Sequence, residues 1–307
     1  MFFFEAQPLT TWLVSLAVFL VLIGLSELGR RFKSGFLLIF IILPIVLTVA
    51  VWPHTTKGTS VNDWFHYAKI YSALTGVLIF WVIGHVKGAS SKKWILFMAP
   101  AILIINICEA VARDFQVYGL HYNHQIFDGM MTVSGSWNVM NGIAGILNII
   151  TLTGFVGICV SKDKSKTMLW PDMLWFWILA YDLWNFAYTY NCIPDHSFYA
   201  GIPMLLAPTF AAFFIKKGAW LQHRAQTLTV WCMFAMTYPG FIDTSRFAVK
   251  STHNAAPLFT ASFLALIANI AVFGYYIYKI VKTKRNPITE ELYTDLKSYK
   301  EIKELAE

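Results

Sequence analysis

Ionisable and amide side chains are scarce inside the apolar stretches of this 307-residue chain, and those present gather at a few places. One stretch ends with Asn106, Glu109, Arg113 and Asp114, another opens with Trp137, Asn138 and Asn141 and runs on to Asn148, and a third carries Tyr181, Asp182, Trp184, Asn185, Tyr188 and Asn191. A fourth ends at Tyr238, Asp243 and Arg246, while His66, Lys69 and Tyr71 stand in a fifth. An ionisable group within a membrane helix costs roughly 2.5–3.5 kcal/mol on insertion scales, so each needs a partner or a wet cavity. Glu109 and Arg113, one helical turn apart, can pair. Asn138, Asn141, Gly145 and Asn148 share one helical face, as do Asp182, Asn185 and Thr189. Two such faces, flanked by Trp137, Tyr181 and Trp184, would suit a small polar or cationic solute, with the rings stacking on it or offering cation–π contact. Hydrogen bonding between helices is the plainer use of the same side chains.

Asp182 with Asn185 reads as functional, and Asn148 and Asn269 read as helix glue. Lys69, Glu109, Arg113, Asp114, Asp182, Asp243 and Arg246 comprise four acids and three bases. They could neutralise one another as a structural lock; in the sharper reading Glu109, Arg113, Asp243 and Arg246 form the outer gate of a binding site. Glu27 beside Arg30 and Arg31 reads as a simple ion pair. His121, His124 and Asp128, completed by His196 or His253, have spacings that could supply metal ligands, but His-x-x-His alone is a weak pattern and these read as solvated loop residues. No cofactor is expected. The last three spans have no lysine between their ends for a retinal Schiff base, and His66 and His85 lie 19 residues apart on one helix, about 28 Å, too far for a haem pair. The common hydrolase, protease and phosphate-loop motifs are missing.

The elements that must position these residues are transmembrane helices. Nine apolar spans are expected, at Leu9–Leu28, Gly35–Trp52, Trp64–Val86, Trp94–Ala112, Ser136–Val160, Met168–Asn191, Gly201–Ile215, Ala225–Ile242 and Pro257–Ile280. At roughly 20 residues a crossing they consume most of the chain and leave no room for a soluble domain. A mean hydropathy of +0.55 with 13% charged residues suits that class, and the net charge of +7 implies no nucleic-acid partner. Of the 24 Lys and Arg, 19 fall on alternate loops: Arg30–Lys33, Lys87–Lys93, Lys162–Lys166, Lys216–Arg224 and the stretch from Lys279. Positive loops stay cytoplasmic, so the N-terminus is expected outside and the C-terminus inside a bacterial plasma membrane. Trp12, Trp52, Trp64, Trp94, Trp137, Trp170 and Trp220 sit at span ends as interfacial anchors do. The seventh span is short and carries Pro203 and Pro208, which suits a kinked helix or a segment lining a cavity.

Residues 1–282 therefore form one polytopic all-α domain, and residues 283–307 a cytoplasmic tail. In the tail Ile288, Leu292, Leu296, Tyr299 and Ile302 make a helical stripe, and its six acids against three lysines from Glu290 on argue for docking on the protein or a partner subunit rather than on an anionic leaflet. A weak echo between spans one to four and five to eight, such as Phe65–Ala68 with Ser197–Ala200, would fit a tandem repeat. Val61–Lys69, Trp137–Gly145, Tyr181–Tyr188 and Lys216–Arg224 resemble stretches of an uncharacterised family of bacterial multi-pass inner-membrane proteins. That resemblance spans nearly the whole chain and implies location and topology, with no activity attached. Three functions suit the polar pattern: a carrier of a small polar or charged solute, an outer-leaflet membrane enzyme using Glu109, Asp114 or Asp182 as acid or base, or a sensor or assembly subunit docking through its tail.

Overall fold

A computed structural model describes residues 2–306. Nine long helices carry the fold: α1 (Leu9–Arg31), α2 (Lys33–Thr55), α3 (Trp64–His85), α4 (Lys93–Leu120), α5 (Ser136–Ile150), α6 (Trp175–Cys192), α7 (Pro194–Ile215), α8 (Trp220–Thr237) and α9 (Ala255–Thr283). A hairpin, β1 (Asn123–Phe127) with β2 (Met130–Val133), follows α4. A shorter one, β3 (Cys159–Val160) with β4 (Met168–Leu169), separates α5 from α6. The first hairpin, the Thr56–Asp63 loop and the chain after α8 lie at one end, the hairpin face. The second hairpin and the C-terminal residues lie at the other, the tail face.

Six of these helices, α1 to α4, α7 and α9, are long and apolar enough to cross a membrane. Their side chains are arranged for lipid. In α1 the inward residues are Thr11, Ser15, Leu22, Ser26, Gly29 and Arg30, while Leu13, Leu16, Leu20 and Val21 are exposed. Small and polar residues at the helix contacts with large apolar ones outside is how helices pack when the surroundings are as apolar as leucine. Exposed apolar surface on this scale would not persist in water.

Five expected spans come out differently: α4 runs on to Leu120, eight residues past its expected end, α7 starts at Pro194, seven residues before its expected start, and three others change more in kind. The helix expected over Ser136–Val160 stops at Ile150, where the chain turns through Gly154 at φ +70°, a left-handed conformation that suits glycine. Its 15 residues reach only about 22 Å. The helix expected from Met168 begins at Trp175, and α8 begins at Trp220, five residues before its expected start and with Arg224 inside it. Neither α6 nor α8 is apolar enough to count as a crossing by composition, and with α5 so short the two expected quartets of helices differ in length.

The misleading apolar run around β3 and β4 has another use. Leu169, Leu174 and Ala219 pack with Leu292, Tyr293, Tyr299 and Ile302 of the C-terminal residues, and Ser161 bridges to Ala306. These side chains are apolar because the tail covers them. The tail itself is helical only over α10 (Lys297–Lys303), and Ile288, expected in its apolar stripe, is exposed. Of the expected tryptophan anchors, Trp52, Trp170 and Trp220 are fully buried core residues, whereas Trp12, Trp64 and Trp94 are exposed at helix ends. Cys159, expected within a span, lies in β3.

Helix packing falls into two groups. α5, α6 and α9 pack on one another and α5 packs on α4; α8 packs on α1, α3 and α7; the α3–α4 and α6–α7 contacts join the groups.

Candidate functional site

The centre of the second group is α8, and it is polar. Gln222, His223, Arg224, Gln226, Thr227 and Thr229 are all buried. A helix of this composition is tolerated only where protein surrounds it and satisfies its side chains. α1 supplies partners on one side: the Ser26 hydroxyl lies 2.9 Å from His223 Nδ1 and 2.9 Å from Gln226 Oε1. Gln222 Oε1 accepts the Met168 backbone N–H at 2.9 Å.

Arg224 is the exception. Its side chain is 4% exposed, its Nη1 meets only the Met204 sulfur at 2.7 Å, and its Nε has no hydrogen-bond partner. Its charge is answered only at longer range, by the buried carboxylate of Asp182 and by the Tyr181 ring 5.9 Å away. No ion pair among the described residues includes it. Arg224 borders two small cavities. One, of about 50 Å³, is lined by Phe65, Lys69, Asn185, Tyr188, Leu228 and Trp231, together with His66 and His196. The other, about 30 Å³, lies between α3, α4 and α8 beside Ser72, Gly76 and Tyr181. Asn106 and Leu228 line both.

Lys69 is compensated where Arg224 is not. Its Nζ lies 3.0 Å from Glu109 and donates to the Asn106 backbone carbonyl at 2.7 Å and side chain at 3.1 Å. Of the two cations that line the first cavity, Lys69 is ion-paired with Glu109 and Arg224 is in direct contact with no carboxylate. A buried guanidinium with an open donor facing a cavity beside a neutralised lysine is an arrangement that receives an anion.

The residues nominated by sequence are divided among three places. The expected Glu109–Arg113 pair does not form: Glu109 turns to Lys69, and Arg113, fully buried, donates to Asp128 at 2.5 Å and Gln116 at 3.0 Å under the Phe127 ring. Asp243 takes the Ser60 hydroxyl at 2.5 Å, and Arg246 lies over the Phe247 ring. These four side chains thus do not meet as one gate.

Asn138 and Asn141 do not face Asp182. Both donate to the buried carboxylate of Asp114, at 3.2 and 2.7 Å, joined by the Cys192 thiol at 3.3 Å. Trp184 completes this clamp, its indole N–H on the Asn141 carbonyl at 3.1 Å, and Trp137 donates to the Val133 carbonyl at 3.2 Å. Only Gly145 lets Trp184 in, since a Cβ there would lie 2.5 Å from Val111 and 2.7 Å from the indole nitrogen. Asp182 accepts Thr209 at 2.6 Å, leaving its Oδ1 unpaired. Asn185 and Tyr181 do reach the Arg224 region, Asn185 lining the first cavity and donating to the Tyr181 hydroxyl at 3.3 Å. Asn269 donates to the Ala180 carbonyl at 3.2 Å, which joins α9 to α6.

The rim of the cavity on the hairpin face holds Ser60, His196 and Asp243, with Ser60 Oγ 2.8 Å from His196 Nε2. This trio is no hydrolytic relay. Ser60 gives its proton to Asp243 and so accepts from His196, whose Nε2 then already carries the proton it would have to take from a nucleophile. Burial pushes the Asp243 carboxyl up, but the bonds from His196 and Ser60 outweigh it and hold the group below its usual value. Asp63 caps α3 through the His66 N–H at 2.8 Å and binds the same ring's Nδ1 at 2.9 Å. The loop histidines are dispersed: His124 lies against Asn123, His121 against the Tyr118 ring, and His253 3.1 Å from Asp195. Among the described residues no group of three or more His, Cys, Asp or Glu side chains is placed to hold a metal ion.

Sequence reasoning missed Arg224 and His223, placing both in a basic loop because polar residues mark the edge of an apolar window. The polar series Gln222, His223, Arg224, Gln226, Thr227 and Thr229, running without a turn signal into an apolar stretch, was the available signal.

Apolar helices that present their leucines outward and gather their polar side chains inward define a multi-pass membrane protein. The chain belongs to a family of unknown function, DUF5692, whose profile matches residues 5–305. No curated protein and no solved structure matches it.

Proposed function

We propose that this protein is a membrane carrier for a small monovalent anion, with Arg224 as the residue that receives it. The observation that supports this is the buried guanidinium, in no ion pair and with its Nε unpartnered, lining a small cavity. Leaving one charge uncompensated in an apolar interior is strongly destabilising, so its retention there calls for a partner that comes and goes. A cationic solute, the other expectation from the aromatic residues, would meet Arg224 and Lys69 instead of the acids. A cavity of 50 Å³ has room for roughly three or four water-sized groups, which admits formate, acetate, nitrate or chloride and excludes larger metabolites in this conformation.

Arg224 lies between one cavity toward the hairpin face and another among α3, α4 and α8, so its side chain can hand the anion from the first to the second. Toward the tail face the path continues past Ser26, His223 and Gln226, polar groups that a carrier needs in that half. α7 lines the first cavity with Ala200 and Met204 around its break at Ile202, where φ is −113° and ψ is −82°. An interrupted helix of this kind is suited to lining a site near mid-membrane. In this reading all nine helices thread the bilayer, with α5, α6 and α8 shielded by the others. In the same reading the tail face, where most of the basic residues lie, is cytoplasmic and the N-terminus is outside a plasma membrane, and moving Arg224 into the core leaves that bias standing.

Thermal unfolding of the purified protein in detergent tests the site. Sodium formate, acetate, nitrate or chloride should raise the midpoint above that in sodium gluconate at equal ionic strength, because a ligand of the folded state stabilises it by mass action. The rise should vanish in Arg224→Met. Equal midpoints in all salts, or an undiminished rise in the variant, would remove the assignment.

A further inference from the structure

A second basic site lies at the tail face, where α1 ends at Arg31, α2 starts at Lys33 and α7 ends at Ile215. The ends of three apolar helices mark headgroup depth in a bilayer. Between them and the loop joining β3 to β4 opens a crevice of about 800 Å³. Its basic side chains are Arg30, Arg31, Lys164, Lys216 and Lys217. Three carboxylates answer these five cations. Glu27 lies 2.7 Å from Arg30 and 2.5 Å from Arg31, Asp163 pairs with Lys216, and Glu301 lies 2.5 Å from Lys217. Lys164 has no ion-pair partner among the described residues.

The floor of the crevice is fixed, since Arg30, 5% exposed, also donates to Ser165 at 3.0 Å and Thr167 at 2.9 Å. Arg31 and Lys217, by contrast, have more than half of their side-chain surface exposed. The membrane-side wall is apolar. Phe213, Phe214 and Ile215 form it, and Phe214 is 73% exposed.

We infer that this crevice seats the headgroup of an anionic phospholipid, the phosphate among Arg31, Lys164 and Lys217 and the acyl chains along Phe214. Two uncompensated positive charges match a phosphate-bearing headgroup. A soluble phosphate would use the cations but not the phenylalanine wall at the ends of the spans, so the lipid accounts for both halves of the site. The acidic tail contributes Glu301 and Leu305 to the margin and none of the cations.

The test is lipid retention by the purified full chain in mixed micelles, read by native mass spectrometry with phosphatidylglycerol or phosphatidylcholine. The triple variant Arg31→Gln, Lys164→Gln, Lys217→Gln removes the exposed cations. A control triple, Lys87→Gln, Lys92→Gln, Lys93→Gln, removes equal charge outside the crevice. Each interfacial cation is worth roughly fivefold in affinity, so the crevice triple should lose on the order of 100-fold in apparent affinity for phosphatidylglycerol while the control loses far less. Three results would overturn the inference: equal loss in the two triples, equal retention of phosphatidylcholine by the wild type, or full displacement of phosphatidylglycerol by millimolar inorganic phosphate. A crevice triple that fails to fold would also refute it, because all three side chains would then be structural.

Discussion

The C-terminal residues are held by one carboxylate, and their docking should depend on pH in a direction the geometry fixes. Asp172, 2% exposed in the turn before α6, accepts the backbone N–H of Leu292 at 2.6 Å and of Tyr293 at 3.0 Å, with the Thr153 hydroxyl at 3.3 Å. Burial pushes its carboxyl up to about 6, more than these bonds pull it down. Release of the tail exposes the group to water and lowers it toward the ordinary 3.8, which sets the upper limit of the effect. A pKa raised in the docked state contributes stability that is fully present below the undocked value and is lost as the pH climbs through the docked one. Between pH 5 and pH 7.5 that amounts to about 1.4 kcal/mol, or about tenfold in the docking equilibrium. Three other acids at this face do not mask it. Asp163 is held low by Lys216 and Ser165 despite burial, and Asp295 and Glu301 are held low by their lysine partners, so all three stay ionised across this window. Hydrogen exchange at the Leu292 and Tyr293 amides, corrected for intrinsic rate, should therefore show protection about tenfold higher at pH 5 than at pH 7.5. Asp172→Asn should abolish that difference. Protection that rises with pH, or a difference that survives Asp172→Asn, would refute the reasoning.

Other outcomes follow from single contacts. Glu109→Gln leaves Lys69 buried without its partner and should cost about 3 kcal/mol in denaturant unfolding, most of it recovered in the double variant with Lys69→Met. Gly145→Ala must displace Trp184 or Val111 and should cost about 1–3 kcal/mol, whereas Gly24→Ala, with nothing within 4 Å of the new methyl, should be neutral or slightly stabilising by the same measurement. Ser26→Ala removes the hydroxyl shared by His223 and Gln226 and should lower the thermal midpoint by an amount equivalent to about 1–3 kcal/mol.

Much of the fold was legible because lipid imposes a simple rule on side chains. α1 to α3 and α9 start and stop within a few residues of the apolar windows, since nothing but lipid and neighbouring helices surrounds them, whereas α4 runs eight residues past its window to Leu120. The rule fails where protein replaces lipid. The apolar residues near β3 and β4 serve the tail, so a continuous window over Ser136–Val160 concealed a helix end, a turn and a strand. The polar residues of α8 are covered by α1, α3 and α7, so the window began too late and left Arg224 outside. The site was legible in composition but not in grouping. Asn138, Asn141 and Asp182 each lie on the helical face expected, but which faces meet depends on packing angles that helical periodicity does not encode.

Uptake of a small anion by proteoliposomes containing wild-type protein or Arg224→Met, with unfolding of both followed in detergent, separates a ligand-receiving arginine from a structural one. Replacing an unpaired buried charge with an apolar side chain of similar length should leave stability unchanged or raise it by about 1–4 kcal/mol, and uptake that is saturable in the wild type should be lost. Uptake that persists in Arg224→Met, or a variant that unfolds more readily than the wild type, would contradict the role given to Arg224.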